Sequence, residues 1–180
     1  MKEINLTKTS IYIDDLKKSS FIKNREIKKH ILSQFKYKPE ILSNLNYYKD
    51  VFITLNQHMC WVMDHMHDYY QLHSKKTLVP LGNIIGSVHD QYEGTILRNH
   101  INPYNLYNSP DYTYMYVVQK GPLEDYIIFE YDNHVKKNES YKIPLETGKF
   151  IMWNSSLNYY ITTNKNYKSR IIMLVNCQIK

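Results

Sequence analysis

Four residues in the second half of this 180-residue chain have side chains suited to holding a metal or an anion: His100, Asn102, Tyr159 and Arg170. In "YEGTILRNHIN" a tyrosine and a glycine lead through a short apolar run to His100, and Asn102 follows two residues later. An imidazole is a good ligand for first-row metals. An asparagine offers only a neutral carbonyl, and a phenol with a pKa near 10 must lose its proton before it binds a metal well. Asn102 and Tyr159 are therefore each expected to be weak ligands for a divalent metal. Arg170, in "YKSRIIMLVN", can grip a carboxylate through two parallel hydrogen bonds. With Tyr159 it makes a candidate site for a small anion; the competing reading is a strand-end arginine paired with an acidic neighbour or lying on the surface.

Other groupings carry less. "QHMCWVMDHMHDYYQLH" gathers His58, Asp64, His65, His67, Asp68 and His73 on one predicted helix. A di-iron bundle needs ligands from four helices, and no second set is present, so these read as packed or solvent-facing side chains. His89 and Asp90 are adjacent on a predicted strand and point to opposite faces. His134 sits in the polar loop "YDNHVKKNE". No Gly-x-Ser-x-Gly elbow, phosphate-cradling glycine loop, zinc-finger spacing or RNA-recognition signature occurs.

The composition bounds the elements that must position these residues. The length suits one domain, 1–180, with one substantial core, and 43% apolar residues with few Gly and Pro describe a folded chain. The 18 tyrosines, with abundant Asn, Lys and Ile, form a set that AT-rich codons produce as readily as selection for aromatic contact. The formal charge is +6, and much of the excess lies in "LKKSSFIKNREIKKHILSQFKYK". That face reads as solvated helix, with nucleic-acid binding as the alternative. Two cysteines, Cys60 and Cys177, are too few for a secreted disulfide framework. No apolar run reaches the roughly 18 to 20 residues of a membrane span, and "MKEINLTKTSIYIDD" has no apolar signal core. A soluble, cytoplasmic protein is the expectation.

Phe21, Ile27, Ile31, Leu32 and Phe35 recur at helical spacing, with Ser19 or Ser20 as cap and Pro39 beyond the end. A second helix is predicted from about Tyr48 to Ser74, with Phe52, Leu55, Met59, Val62, Met66 and Tyr69 as its apolar stripe. After "KKTLVP" eight short β-rich segments follow, from "NIIGSVHDQY" to "RIIMLVNCQI", separated by turn clusters. The pattern predicts an α+β fold: a mainly helical part over 1–76, and over 77–180 an antiparallel double-stranded β-helix, or jelly roll, with the helices on one outer sheet face.

Three segments, "YEGTILRNHIN", "GKFIMWNSSLNYYI" and "YKSRIIMLVN", resemble in their order and spacing the 2-oxoglutarate/Fe(II)-dependent oxygenases, over roughly Gly82 to Asn176. The resemblance puts His100 at the first ligand position of the family's His-x-Asp and Asn102 at its carboxylate. Ser155, Leu157 and Tyr159 fill a Ser-x-Leu-x-His segment, with Tyr159 at the second histidine, and Arg170 stands where a basic residue binds the far carboxylate of 2-oxoglutarate. Only His100 of the three expected ligands is kept.

The resemblance therefore implies a non-catalytic jelly roll with a degenerate iron site, acting as a binding or structural module with protein partners or as a homo-oligomer in an assembly. Its similarity to small oxygenase-like proteins of marine bacteriophages adds a viral setting and a virion role. The alternative is an active hydroxylase, using Fe(II) and 2-oxoglutarate in a non-standard metal shell.

Overall fold

The computed structural model describes residues 2–6, 9–16, 21–37, 49–54, 57–74, 77–81, 84–132 and 139–180. Along the chain these form β1 (Lys2–Leu6), β2 (Thr9–Asp15), α1 (Phe21–Tyr37), β3 (Lys49–Ile53), α2 (Gln57–Ser74), β4 (Leu78–Pro80), β5 (Ile84–His89), β6 (Tyr112–Gln119), β7 (Tyr126–Tyr131), β8 (Glu139–Pro144), β9 (Lys149–Asn154), β10 (Asn158–Ile161) and β11 (Arg170–Ile179). Leu55 and His134 lie outside the described residues, as do the side chains of Phe21, Phe35, His58, Met66, Tyr69 and His73.

Among the described residues the strands form an eight-stranded sheet, ordered β1-β2-β9-β6-β11-β5-β3 with β4 also on β11, and a three-stranded sheet, β10-β7-β8. Every pairing is antiparallel. The backbone at residues 95–98 lies along β10, through Thr95 N–H to Ile161 O (3.0 Å) and a reciprocal pair between Arg98 and Tyr159 (2.9 and 2.8 Å). From β5 onward the chain thus alternates between sheets: large, then small at 95–98, large at β6, small at β7 and β8, large at β9, small at β10, large at β11. This winding is the jelly roll that the strand spacing predicts.

Two apolar clusters explain the sequence texture. Successive side chains on a strand point to opposite faces. On β11, Ile171, Met173 and Val175 join one cluster while Ile172 and Leu174 join the other; β6 and β9 divide in the same way. The first cluster also holds Ile27 and Ile31 of α1 and Met59 and Val62 of α2, and the second lies between the sheets, with Phe129 and Ile143 of the small sheet. Strands covered on both faces have no polar side, so "FIMW" and "IIMLV" read as unbroken apolar runs.

Two expectations need correction. The predicted second helix begins too early: residues 49–53 are strand β3, paired with β5 from Lys49↔Val88 to Ile53↔Ile84. The stripe Phe52, Leu55, Met59 fits a helical period, but the open edge of β5 offers backbone partners that outweigh so short a pattern. The 1–76 part is also less helical than expected, because β1 and β2 form a hairpin that extends the large sheet through β9. The alternation in "IYIDD", with Ile11 buried, is the period-2 signal that marks β2.

Gly86 of β5 is where α1 meets the sheet most closely: a Cβ there would stand 2.8 Å from Ile31 Cγ2 and 3.1 Å from Cγ1. Ile31 is β-branched and stiff, so it yields little. Gly86→Ala should cost about 1–3 kcal/mol of stability by overpacking. Urea unfolding should show that cost shrinking in an Ile31→Ala background, as a favourable coupling in a double-mutant cycle.

Candidate functional site

Tyr159, on β10, is fully buried. Its ring stacks on His100 at 5.6 Å between centroids and meets Trp153 edge-on at 4.9 Å. Its hydroxyl lies 2.8 Å from His100 Nε2 and 3.0 Å from Arg98 Nε. Arg98 continues through Nη1 to Asp50 Oδ2 on β3, at 3.1 Å.

A guanidinium N–H only donates, so the Tyr159 oxygen accepts from Arg98, and the hydroxyl shares a second hydrogen bond with His100 Nε2. His100 is the neutral imidazole at ordinary pH. Burial, with the charge of Arg98 adding to it, pushes this imidazole down from 6.5 to about 3. The result is a partly buried chain: Asp50, Arg98, Tyr159, His100.

His100 and Tyr159 therefore meet, but Asn102 does not join them. It is exposed; its Oδ1 accepts from Tyr104 N–H (3.0 Å) and its own N–H donates to Ser109 Oγ (2.8 Å). The chain turns outward at Asn102-Pro103, and the asparagine caps that turn. The two residues of i, i+2 spacing that converge on Tyr159 are Arg98 and His100. Ser155 belongs to a separate buried contact with Thr113 Oγ1 (2.8 Å), which in turn donates to Asn176 Oδ1 (2.9 Å).

Arg170 opens β11 opposite His89 of β5, with both side chains buried. Its Nε and Nη2 lie 2.9 and 2.8 Å from His89 Nδ1, and Nη2 also donates to Thr162 O at 2.9 Å. Nη1 faces Asp125 Oδ2 at 3.4 Å. Since His89 Nδ1 accepts, its proton is on Nε2, directed at Ser87 Oγ 3.1 Å away. Burial, reinforced by the charges of Arg170 and Arg98, holds His89 well below the usual histidine range. Burial also brings Arg170 down to about 10, against the opposing pull of Asp125, and raises the Asp125 carboxyl in spite of Arg170. The arginine paired with an acidic neighbour is the arrangement found.

The remaining candidates are dispersed. His65 of α2 pairs with Asp14 of β2 at 2.8 Å and sits edge-on to Phe150, so it belongs with the cluster under the helices. Asp64 and Asp68 are exposed. Asp90 Oδ1 accepts from Ser169 Oγ at 2.6 Å, away from the inward His89. Among the described residues no three His, Cys, Asp or Glu side chains come together closely enough to hold a metal ion. Among the described side chains of α1, Lys23 lies over the Trp61 ring at 3.6 Å, Lys28 donates to Gln119 at 2.7 Å, and the exposed Arg25 and Lys29 share Glu26. No described helix is long and apolar enough to cross a membrane.

No family model and no curated protein sequence matches the chain. Solved structures do match. The non-heme alpha-ketoglutarate-dependent carbocyclase SnoK from nogalamycin biosynthesis superposes with a TM-score of 0.69 at 9% identity, covering 93% of this chain and 78% of that one. A prolyl-4-hydroxylase from Pseudomonas putida gives 0.65 at 5% identity, over 93% and 91%. The viral collagen prolyl hydroxylase of Paramecium bursaria Chlorella virus-1 gives 0.63 at 10% identity, over 93% and 94%. The likeness is one of fold. This chain has the jelly-roll fold of the 2-oxoglutarate/Fe(II)-dependent oxygenases, at an identity too low to carry site residues across.

Sequence reasoning missed Asp50, Arg98 and Asp125, and left His89 outside the site. Arg98 had a signal, since it stands two residues before His100 and shares its face of an extended chain. Asp50 and Asp125 had none.

The neutral state of His100 sets a pH dependence. The unfolded chain takes up a proton near 6.5, which the folded imidazole refuses until about 3. Stability is therefore full above the unfolded value and falls with pH across that window. His100→Gln keeps an uncharged hydrogen-bond partner for the Tyr159 hydroxyl and should flatten this slope, leaving the like-signed share of His89. Urea midpoints at neutral pH and at about pH 4 check it; an unchanged slope would show that His100 protonates freely.

Proposed function

We propose that this chain is a metal-free jelly-roll binding module on the oxygenase fold, working through protein partners or self-assembly and without iron chemistry. One observation carries the reading: the position that converges with His100 on Tyr159 is taken by the guanidinium of Arg98, Nε to Oη 3.0 Å.

Neither iron nor 2-oxoglutarate suits these residues. Arginine is charged at neutral pH and donates only. A divalent ion about 4 Å from it would be opposed by roughly 8 kcal/mol at an effective dielectric near 20, and Asp50 offsets part of that. The Tyr159 oxygen is already bonded to Arg98 Nε and His100 Nε2, so a metal there must displace both bonds. The arrangement does not fit a ferrous ion. Nor does it fit 2-oxoglutarate, because the buried charge of Arg170 is already faced by Asp125.

A binding role draws support from the loop after Asn102. Tyr104, Leu106 and Tyr107 are 97%, 69% and 91% exposed, while their backbone is held by Asn102 Oδ1 to Tyr104 N–H, Asn105 Oδ1 to Asn108 N–H, and Gln178 Nε2 to Tyr107 O. Aromatic side chains on a pre-ordered loop lose little entropy when a protein partner covers them. A place in a viral particle is the setting that the sequence resemblance adds to this reading.

The deciding experiment is metal analysis of protein purified without oxygen, followed by assay of succinate release from 2-oxoglutarate. Substoichiometric iron and no succinate are expected, from the native chain and from Arg98→Ala alike. Stoichiometric iron with turnover would establish the hydroxylase reading in its place.

A further inference from the structure

Among Arg170, His89 and Asp125 three polar atoms are buried without a hydrogen-bond partner: Arg170 Nη1 and both carboxylate oxygens of Asp125. They face one another, with Nη1 and Oδ2 3.4 Å apart and both side chains 0% exposed. A carboxylate and a guanidinium free to settle approach to about 2.7–2.9 Å and bond in parallel. Here the charges match and the geometry does not.

The backbone explains the shortfall. Asp125 ends the segment "KGPLED" that leads into β7, and that segment is fixed on both sides. At Gly121 the chain packs so closely on Asn166 that a Cβ would stand 2.3 Å from Asn166 Cγ. Leu123 N–H donates to Asn166 Oδ1 at 2.7 Å, and Asp125 O accepts from Leu145 N–H at 2.8 Å. Asn166 is held by Asn164 Oδ1, whose own Nδ2 donates to His89 O at 2.9 Å. The aspartate reaches Arg170 on a tether too firmly pinned to close the last half ångström.

We propose that Asp125 is a resident carboxylate filling an anion site built by Arg170, and that removing its side chain opens this site to a free small monocarboxylate. The remaining guanidinium nitrogens are already committed to His89 Nδ1 and Thr162 O, so Nη1 is the donor left for a ligand. A single guanidinium balances one negative charge. His89 presents an acceptor at Nδ1 and adds no donor, so a monoanion fits where a phosphate dianion would remain partly unpaired. Formate is the probe, being the carboxylate group without a tether.

The test compares the native chain, Asp125→Ala, and the double variant Asp125→Ala with Arg170→Met by thermal unfolding. Sodium formate is titrated against sodium chloride of equal ionic strength. Asp125→Ala should lose stability in chloride and recover it saturably in formate, its melting temperature climbing with the logarithm of concentration above the dissociation constant. The native chain and the double variant should follow chloride. An equal response of Asp125→Ala to both salts would overturn the proposal, as would a formate gain in the native chain matching the variant's. If Asp125→Ala does not fold in chloride, refolding from urea decides: folded protein recovered only in formate supports the site, and none in either salt rejects it. No metal enters this experiment, so its outcome is independent of the iron measurement.

Discussion

The constraint on which this interior depends is charge balance. Two arginines, Arg98 and Arg170, carry permanent charge into the space beside an apolar core of Phe129, Trp153, Tyr159 and Ile172. Removing a charge from water costs several kcal/mol even after relaxation. Each guanidinium therefore needs a carboxylate that is equally withdrawn. Asp50 serves Arg98 from β3 and Asp125 serves Arg170 from the lead-in to β7.

That balance fixes the histidines. With each cation matched by one anion, a third positive charge has nothing to offset it, so His89 and His100 are held neutral by burial and by the arginines near them. Neutral histidines can accept. His89 takes an N–H of Arg170, and His100 shares a hydrogen bond with the Tyr159 hydroxyl. The polar groups of the interior are thus largely spent on one another. Arg98, Tyr159, His100, Arg170 and His89 are bonded to one another or to neighbouring groups of the protein, while the aromatic side chains at 104 and 107 are turned outward.

Much of the fold was legible because it rests on apolar pattern. "YTYMYVVQ", "KFIMWN" and "RIIMLVNCQI" coincide with β6, β9 and β11, since β-rich runs between turn clusters give strand boundaries directly. The strand β3 was misread because five residues are too few to separate the two periods, and the backbone edge of β5 decides the matter from thirty residues away. In the site, the pairing of His100 with Tyr159 came from the family resemblance, which puts both at ligand positions, and not from the residues alone. The place of Asn102 was not legible, because a single turn at Pro103 takes it off the strand. Asp50 and Asp125 were illegible for a deeper reason: an acidic residue near a strand end looks the same whether it meets water or a buried arginine, and only tertiary pairing tells them apart.

The comparison with solved oxygenases sharpens the same distinction. At 5–10% identity the backbone winding is kept over nine-tenths of the chain, so the winding tolerates nearly any side chain of suitable size and polarity. Volume and pattern suffice to specify a core, and a double-layered roll offers many equivalent ways to fill it. A metal centre has no such latitude, since it needs several ligands within a few tenths of an ångström and no competing cation. A guanidinium placed in such an interior brings a positive charge that its neighbours must neutralise. Asp50 and Asp125, on elements far apart in sequence, are the residues expected of an interior that answers to electroneutrality.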